Sequence, residues 1–176
     1  LAHTAMNDHS DFGSGSIPAT LESRIDRLES TEAIRQLAAR YSLTLDMRDI
    51  DAHANLFAPD IRVGKDRIGR AHLKAWIDDT LRNQFTGTAH HLGQHIIEFQ
   101  DADHAVGVVY SKNEHECGAE WVIMQMLYWD DYERIDGAWY FRLVRDGRSV
   151  AEIRDRLMFG EANLGDTGHQ GQSRAL

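Results

Sequence analysis

The stretch 91–146, HLGQHIIEFQDADHAVGVVYSKNEHECGAEWVIMQMLYWDDYERIDGAWYFRLVRD, is dense in β-branched and aromatic residues and broken by short polar segments. Four runs stand out, 91–99, 104–115, 120–134 and 138–146. Such side chains suit a pleated, half-buried surface, so each run reads as a strand. The breaks Asp101-Ala102-Asp103 and Ile135-Asp136-Gly137 have the length and chemistry of hairpin turns, so consecutive strands should pair antiparallel.

Upstream of this meander the apolar period changes from two to that of a helix. Leu21, Ile25 and Leu28 recur at helical spacing after Thr20, and beyond Ser30-Thr31 the pattern resumes with Ile34, Leu37, Ala38, Tyr41 and Leu45. This predicts a long amphipathic helix with a break near Ser30. A short second helix fits Asp49 to Phe57, with Asp49 as cap and Pro59 forbidding continuation. The extended run Ile61-Arg62-Val63 turns at Gly64 and again near Gly69, and Leu73, Trp76, Ile77 and Leu81 mark a third helix. Helices followed by a meander define an α+β fold, in which a curved antiparallel sheet wraps against N-terminal helices. A hollow cone is one such solution, and it would bury a ligand.

Composition limits the alternatives. The 176 residues suit one domain, expected over 20–158 between mobile tails at 1–19 and 159–176, both rich in Gly, Ser, His and Asp. With 42% hydrophobic and 27% charged residues, a collagen-like, disordered or disulfide-scaffold chain is excluded. Lys and Arg total 19 against 28 Asp and Glu, and the net charge of -9 repels nucleic acid and anionic lipid, so neither is an expected partner. Cys117 is the sole cysteine and can form no intrachain disulfide, which makes a reducing cytoplasm the expected compartment. No run approaches the roughly 20 apolar residues of a membrane span, and residues 1–20 lack the order of a secretory signal.

The ten histidines invite a metal reading. His91 and His95 have the spacing of zinc ligands on a helix, but on a strand four residues span roughly 13 Å, and the two rings could not share an ion. His115 and Cys117 lack a third ligand, so no metal is expected. A Gly-rich phosphate loop and a GxSxG elbow are both absent, and Cys117 has no evident base beside it. Acid–base chemistry remains, for which His is the natural side chain and a carboxylate its natural orienting partner. Asp46 interrupts the end of the first helix, about 140° around from Tyr41, on the border of the apolar stripe. Periodicity alone leaves it a solvated carboxylate beside Arg48.

The order AIRQLAARYSLTLDMRDIDAHANLFAPD, GRAHLKAWI, HHLGQHIIEF and DDYERIDGAWYF resembles the SnoaL-like branch of the nuclear-transport-factor-2-like superfamily, over about Leu28 to Phe141. Members are α+β cones with a helix-lidded pocket. Within the branch the chain looks most like lyase-type members, among them scytalone dehydratase, bile acid 7α-dehydratase and hexachlorocyclohexane dehydrochlorinase. The resemblance implies a catalytic set of His91, Asp46 and Tyr41. Tyr41 and Asp46 stand in RYxxxxD, and His91 stands in HxG ahead of the strand 94–99, with His90 an adjacent alternative. His115 matches a second pocket histidine. Met126 and Tyr128 replace a Ser and an Asn of the scytalone enzyme, so its water-holding arrangement is not reproduced and no substrate is carried over.

Together these readings point to a lyase or isomerase needing no cofactor, acting on a small apolar organic molecule. His91 would act as base, Asp46 would orient it and Tyr41 would donate to an oxyanion or leaving group. His115, Phe57, Tyr128 and Arg145 form the expected substrate-binding set. The alternative is a non-catalytic cone that binds a ligand or serves as an assembly subunit. An open sheet bearing Trp121, Trp129 and Trp139 has two faces, of which the helices can cover one, so a homodimer or homotrimer is expected. Sedimentation at micromolar concentration should show no monomer, and a monomer would overturn this expectation.

Overall fold

The computed structural model describes residues 20–142; the expected tails, residues 143–158 of the expected domain and Arg145 lie outside the described residues. Helix α1 (Leu21–Asp46) opens on a capping box: Thr20 Oγ1 accepts the Ser23 N–H at 3.1 Å, and Ser23 Oγ accepts the Thr20 N–H at 3.1 Å. The break expected near Ser30 does not occur. Ser30 is buried and Thr31 Oγ1 donates to the Arg27 carbonyl at 2.8 Å, so the helix runs on through this polar pair. Ile34, Leu37, Ala38 and Leu45 form the buried side of α1.

Asp49 caps α2 (Ile50–Asn55) by accepting the Ala52 N–H at 3.0 Å. The chain then docks on the far end of the sheet, where the Ala58 N–H donates to the Phe141 carbonyl and the Phe141 N–H to the Leu56 carbonyl, both at 3.0 Å. Strands β1 (Arg62–Val63) and β2 (Arg67–Ile68) pair as a small hairpin, turning at Gly64 with φ +68°. Helix α3 (Arg70–Gln84) follows and buries Leu73, Ile77 and Leu81.

The meander is β3 (Gly87–Phe99), β4 (His104–Cys117), β5 (Glu120–Ile135) and β6 (Ala138–Arg142), antiparallel throughout and adjacent in chain order. Asp136 and Gly137, with φ of +51° and +81°, make the two-residue turn that Asp-Gly favours. The α+β class and the curved antiparallel sheet behind N-terminal helices are therefore as expected. Strand β3 begins four residues earlier than its apolar run suggests, taking in Thr88 and His90.

One irregularity sets the sheet's inner face. Between Leu92 and His95 the β3–β4 register shifts by one residue, a β-bulge at Gly93-Gln94. Before it, Thr88, His90 and Leu92 pair with His115, Asn113 and Ser111; after it, His95, Ile97 and Phe99 pair with Val109, Gly107 and Ala105. Opposed residues share a face, and these β4 residues are all buried. Met124, Met126, Tyr128, Asp130 and Tyr132 continue the same face on β5. The opposite face exposes Ile96, Tyr110, Trp121 and Ile123.

Gly107 is fixed by close approach. A Cβ there would lie 2.9 Å from the Ile96 carbonyl oxygen and 3.0 Å from the Tyr132 ring, and would crowd His95, whose Nε2 is 3.1 Å from the Tyr132 hydroxyl. Gly107→Ala should therefore lower stability by about 1–3 kcal/mol, the usual cost of overpacking. Urea denaturation checks this, and an unchanged midpoint would show that the face is more loosely packed than described.

Candidate active site

The helices and the inner sheet face enclose a cavity of about 440 Å³. Tyr41 and Leu45 of α1 contribute one wall, Trp76, Ile77 and Leu81 of α3 another, and His90, Asn113, His115, Met126 and Tyr128 of the sheet the third. The lining mixes apolar side chains with polar ones, Thr80 and Gln84 on α3 and Thr88, His90, Asn113 and His115 on the sheet.

Asp46 is the last residue of α1, where its negative charge opposes the helix dipole. Three hydrogen bonds from β3 offset that cost. Oδ1 accepts from Thr88 Oγ1 at 2.9 Å and from His90 Nδ1 at 2.7 Å, and Oδ2 accepts the His90 backbone N–H at 2.8 Å. An ionised carboxylate can only accept, so Nδ1 of His90 carries the proton and Nε2 the basic lone pair. The His90 side chain is 4% exposed.

The dyad therefore forms on the residue next to the expected one. His91 is outward, 63% exposed, with its Nε2 3.9 Å from Glu114, and it does not meet Asp46. Neighbours on a strand point to opposite faces, so only one of the pair can reach into the cone. Phe57 also departs from expectation. It is fully buried behind Tyr41, with ring centroids 6.2 Å apart, and stacks on Phe141 at 5.2 Å, so it supports the cavity wall without forming it. Tyr41, His115 and Tyr128 do line the cavity; the Tyr41 ring stands edge-on to His90 at 6.5 Å and 6.2 Å from Tyr128.

Two residues not expected from the sequence join the site. Asn113, 2% exposed, donates through Nδ2 to the Tyr128 hydroxyl and accepts at Oδ1 from Ser111 Oγ. Their only sequence signal is alternation with His115 along a strand. His53, buried under Tyr41 with centroids 4.4 Å apart, shares a 3.0 Å hydrogen bond with Thr44 Oγ1 and stiffens this wall from behind.

His115 is 5% exposed, its ring 4.4 Å from Phe85 and 5.5 Å from His90. Burial pushes its pKa from 6.5 down to about 4; the cationic form of His90 and Arg48 add to the effect and Asp46 opposes it. His115 is thus a neutral imidazole at pH 7. Among the described residues no cluster of His, Cys, Asp and Glu forms a metal-ligand set, and no helix is long and apolar enough to cross a membrane.

A small α+β cone with a carboxylate–imidazole pair in its cavity wall is the class that fold and site define. Residues 26–145 match the family model of the SnoaL-like domain, and the chain belongs to that family. A Novosphingobium aromaticivorans protein assigned as a scytalone dehydratase is 27% identical, with a TM-score of 0.58 over 67% of this chain and 83% of its own. A type 2 hexachlorocyclohexane dehydrochlorinase, LinA, is 24% identical, with a TM-score of 0.61 over 66% of this chain and 83% of its own. A nuclear-transport-factor-2-like protein with a cystatin-like fold, also from N. aromaticivorans, is 24% identical, with a TM-score of 0.58 over 84% of this chain and 96% of its own. No curated protein matches the chain.

Because the buried neutral His115 must gain a proton on unfolding at low pH, the unfolded state binds more protons between pH 6.5 and about 4. Stability should fall as pH drops through that window and level off below it, by at most about 3 kcal/mol from this group. Urea midpoints from pH 7 to 4 should show a shallower acid loss in His115→Gln than in the wild type, and equal losses would show that His115 titrates normally.

Proposed function

We propose that the protein is a lyase that removes a carbon-bound proton and expels a leaving group from the neighbouring carbon of a small, largely apolar molecule. The observation that carries this reading is His90 in the cavity wall with the Asp46 carboxylate bonded to its Nδ1. Nε2 of His90 takes the proton, and Asp46, bonded to Nδ1, holds the tautomer and stabilises the imidazolium as it forms. Tyr41 stands across the cavity as donor to the developing charge or the leaving group. Proton abstraction of this kind needs no cofactor from the protein. The dehydratase assignment of the 27%-identical protein agrees with elimination chemistry. The same reading takes the exposed Ile96, Tyr110, Trp121 and Ile123 as the surface through which copies assemble as a dimer or trimer.

The test is a panel of β-hydroxy ketones and hexachlorocyclohexanes, with products followed by mass spectrometry and α-proton exchange in D₂O by NMR. His90→Gln should cost roughly a hundred- to ten-thousand-fold in rate, the usual worth of a positioned base, and Asp46→Asn somewhat less. His91→Gln should stay within about twofold, since an exposed imidazole outside the cavity contributes no proton transfer. Loss in His91→Gln with activity retained in His90→Gln would reverse the assignment. Binding without exchange or turnover across the panel would mark a ligand-binding subunit instead.

A further inference from the structure

We propose that the outward face of α1 pairs antiparallel with α1 of a second copy of this chain, through a surface separate from the outer face of the sheet.

The starting observation is a second apolar stripe on α1. Leu21, Ile25, Leu28, Glu32, Arg35 and Ala39 follow one another at alternate spacings of four and three residues, the core positions of a heptad. Leu43 continues the line. At about 100° per residue these positions lie on the far side of the helix from Ile34, Leu37, Ala38 and Leu45, which form its buried side. The change of apolar phase near Ser30, which reads as a break in the sequence, is therefore the handover from one stripe to the other within a continuous helix. The outer stripe is uncovered: Leu21 and Leu28 are 71% and 70% exposed, and Ile25 and Leu43 are exposed with them. A helix that covers a core on one side carries polar residues on the other, so apolar residues on both sides point to burial on both.

The charges say what covers it. Glu32 and Arg35 occupy the middle of the stripe, and Glu29 and Arg40 stand on one flank, so the acids precede the bases along the helix. All four are exposed, and among the described residues none of them is in an ion pair. On the other side of the same helix the charges are engaged: Asp26 pairs with Arg134 at 2.8 Å, and Arg27 lies over the Phe99 ring. Parallel pairing of two such helices would set Glu32 against Glu32 and Arg35 against Arg35. Antiparallel pairing about a two-fold axis between residues 32 and 35 sets each Glu32 against the second copy's Arg35, and each Glu29 near the second copy's Arg40. The same register lays Leu28 on the small Ala39 and Ile25 beside Leu43. A pattern complementary to itself under a two-fold axis is what an isologous contact needs. A lipid surface suits it poorly, because Glu29 and Glu32 border the apolar residues and the chain carries a net charge of -9.

The test is sedimentation velocity of the full chain over a dilution series. Glu32→Arg and Arg35→Glu each place like charges opposite one another at both symmetry-related contacts, and each should weaken the association at least about tenfold. An equimolar mixture of the two variants should regain the wild-type particle, because the two substituted side chains then meet with opposite charge, as do the two native ones. Both positions are exposed, so an unchanged melting temperature should accompany the loss. Each substitution also alters the neighbouring charge three residues away in its own helix, but mixing leaves that effect untouched and cannot restore it. Variants that sediment as the wild type overturn the proposal, and so does a loss that mixing does not repair. Sensitivity to these variants that emerges only after removal of residues 1–19 would make the chain's own N-terminal segment the occupant, and overturns it equally.

Discussion

The carboxylate of Asp46 joins two parts of the molecule that nothing else aligns so closely: the C-terminal end of α1 and the first residues of β3. A negative charge at that end of a helix is unfavourable, and three donors from Thr88 and His90 make it tolerable. The same bonds fix the height of α1 on the sheet, and hence place Tyr41 and Leu45 over the cavity. They also fix one tautomer of His90. One carboxylate therefore orients the helix, shapes the cavity and holds its imidazole.

The fold was readable because it follows from periodicity. The switch from helical to alternating apolar spacing near residue 87, and the Asp-Gly turn at Asp136-Gly137, suffice for an α+β meander. The break expected at Ser30 was misleading because a Ser-Thr pair inside a helix can bond back to its own carbonyls, and sequence does not say whether it does. The orientation of His90 and His91 was hidden for a similar reason. Counting back by twos from Ile97 and Phe99, which face inward, lands on His95, Gly93 and His91. The bulge at Gly93-Gln94 adds one residue and reverses the parity of everything before it, so His90 turns in and His91 out. Gly93 belongs to the motif that suggested His91, and it lies at the bulge that turns its neighbour toward Asp46.

Phe57 shows a different limit. Its apolar character and its place after α2 are compatible with a pocket wall or with the layer behind one. The decision comes from the backbone pairing between Leu56, Ala58 and Phe141, which pulls Phe57 onto β6 and under Tyr41. That pairing joins residues more than eighty positions apart and leaves no local trace. Asn113 and Ser111 were hidden for the opposite reason, since polar residues in alternation on a strand normally mark its solvent face. Here both faces are polar: Ser111, Asn113 and His115 are buried, while Lys112 and Glu116 stand exposed on the other side.

That burial bears on chemistry as well as on prediction. Polar side chains on an inner sheet face lose hydration and must recover it in hydrogen bonds. Ser111, Asn113 and Tyr128 recover most of theirs from one another. The two imidazoles behave differently although their rings are only 5.5 Å apart. His90 bonds the Asp46 carboxylate, whereas His115 packs on Phe85 in surroundings that favour its neutral form. Two like charges at that separation would repel in a site of low dielectric, which adds to the burial that holds His115 neutral.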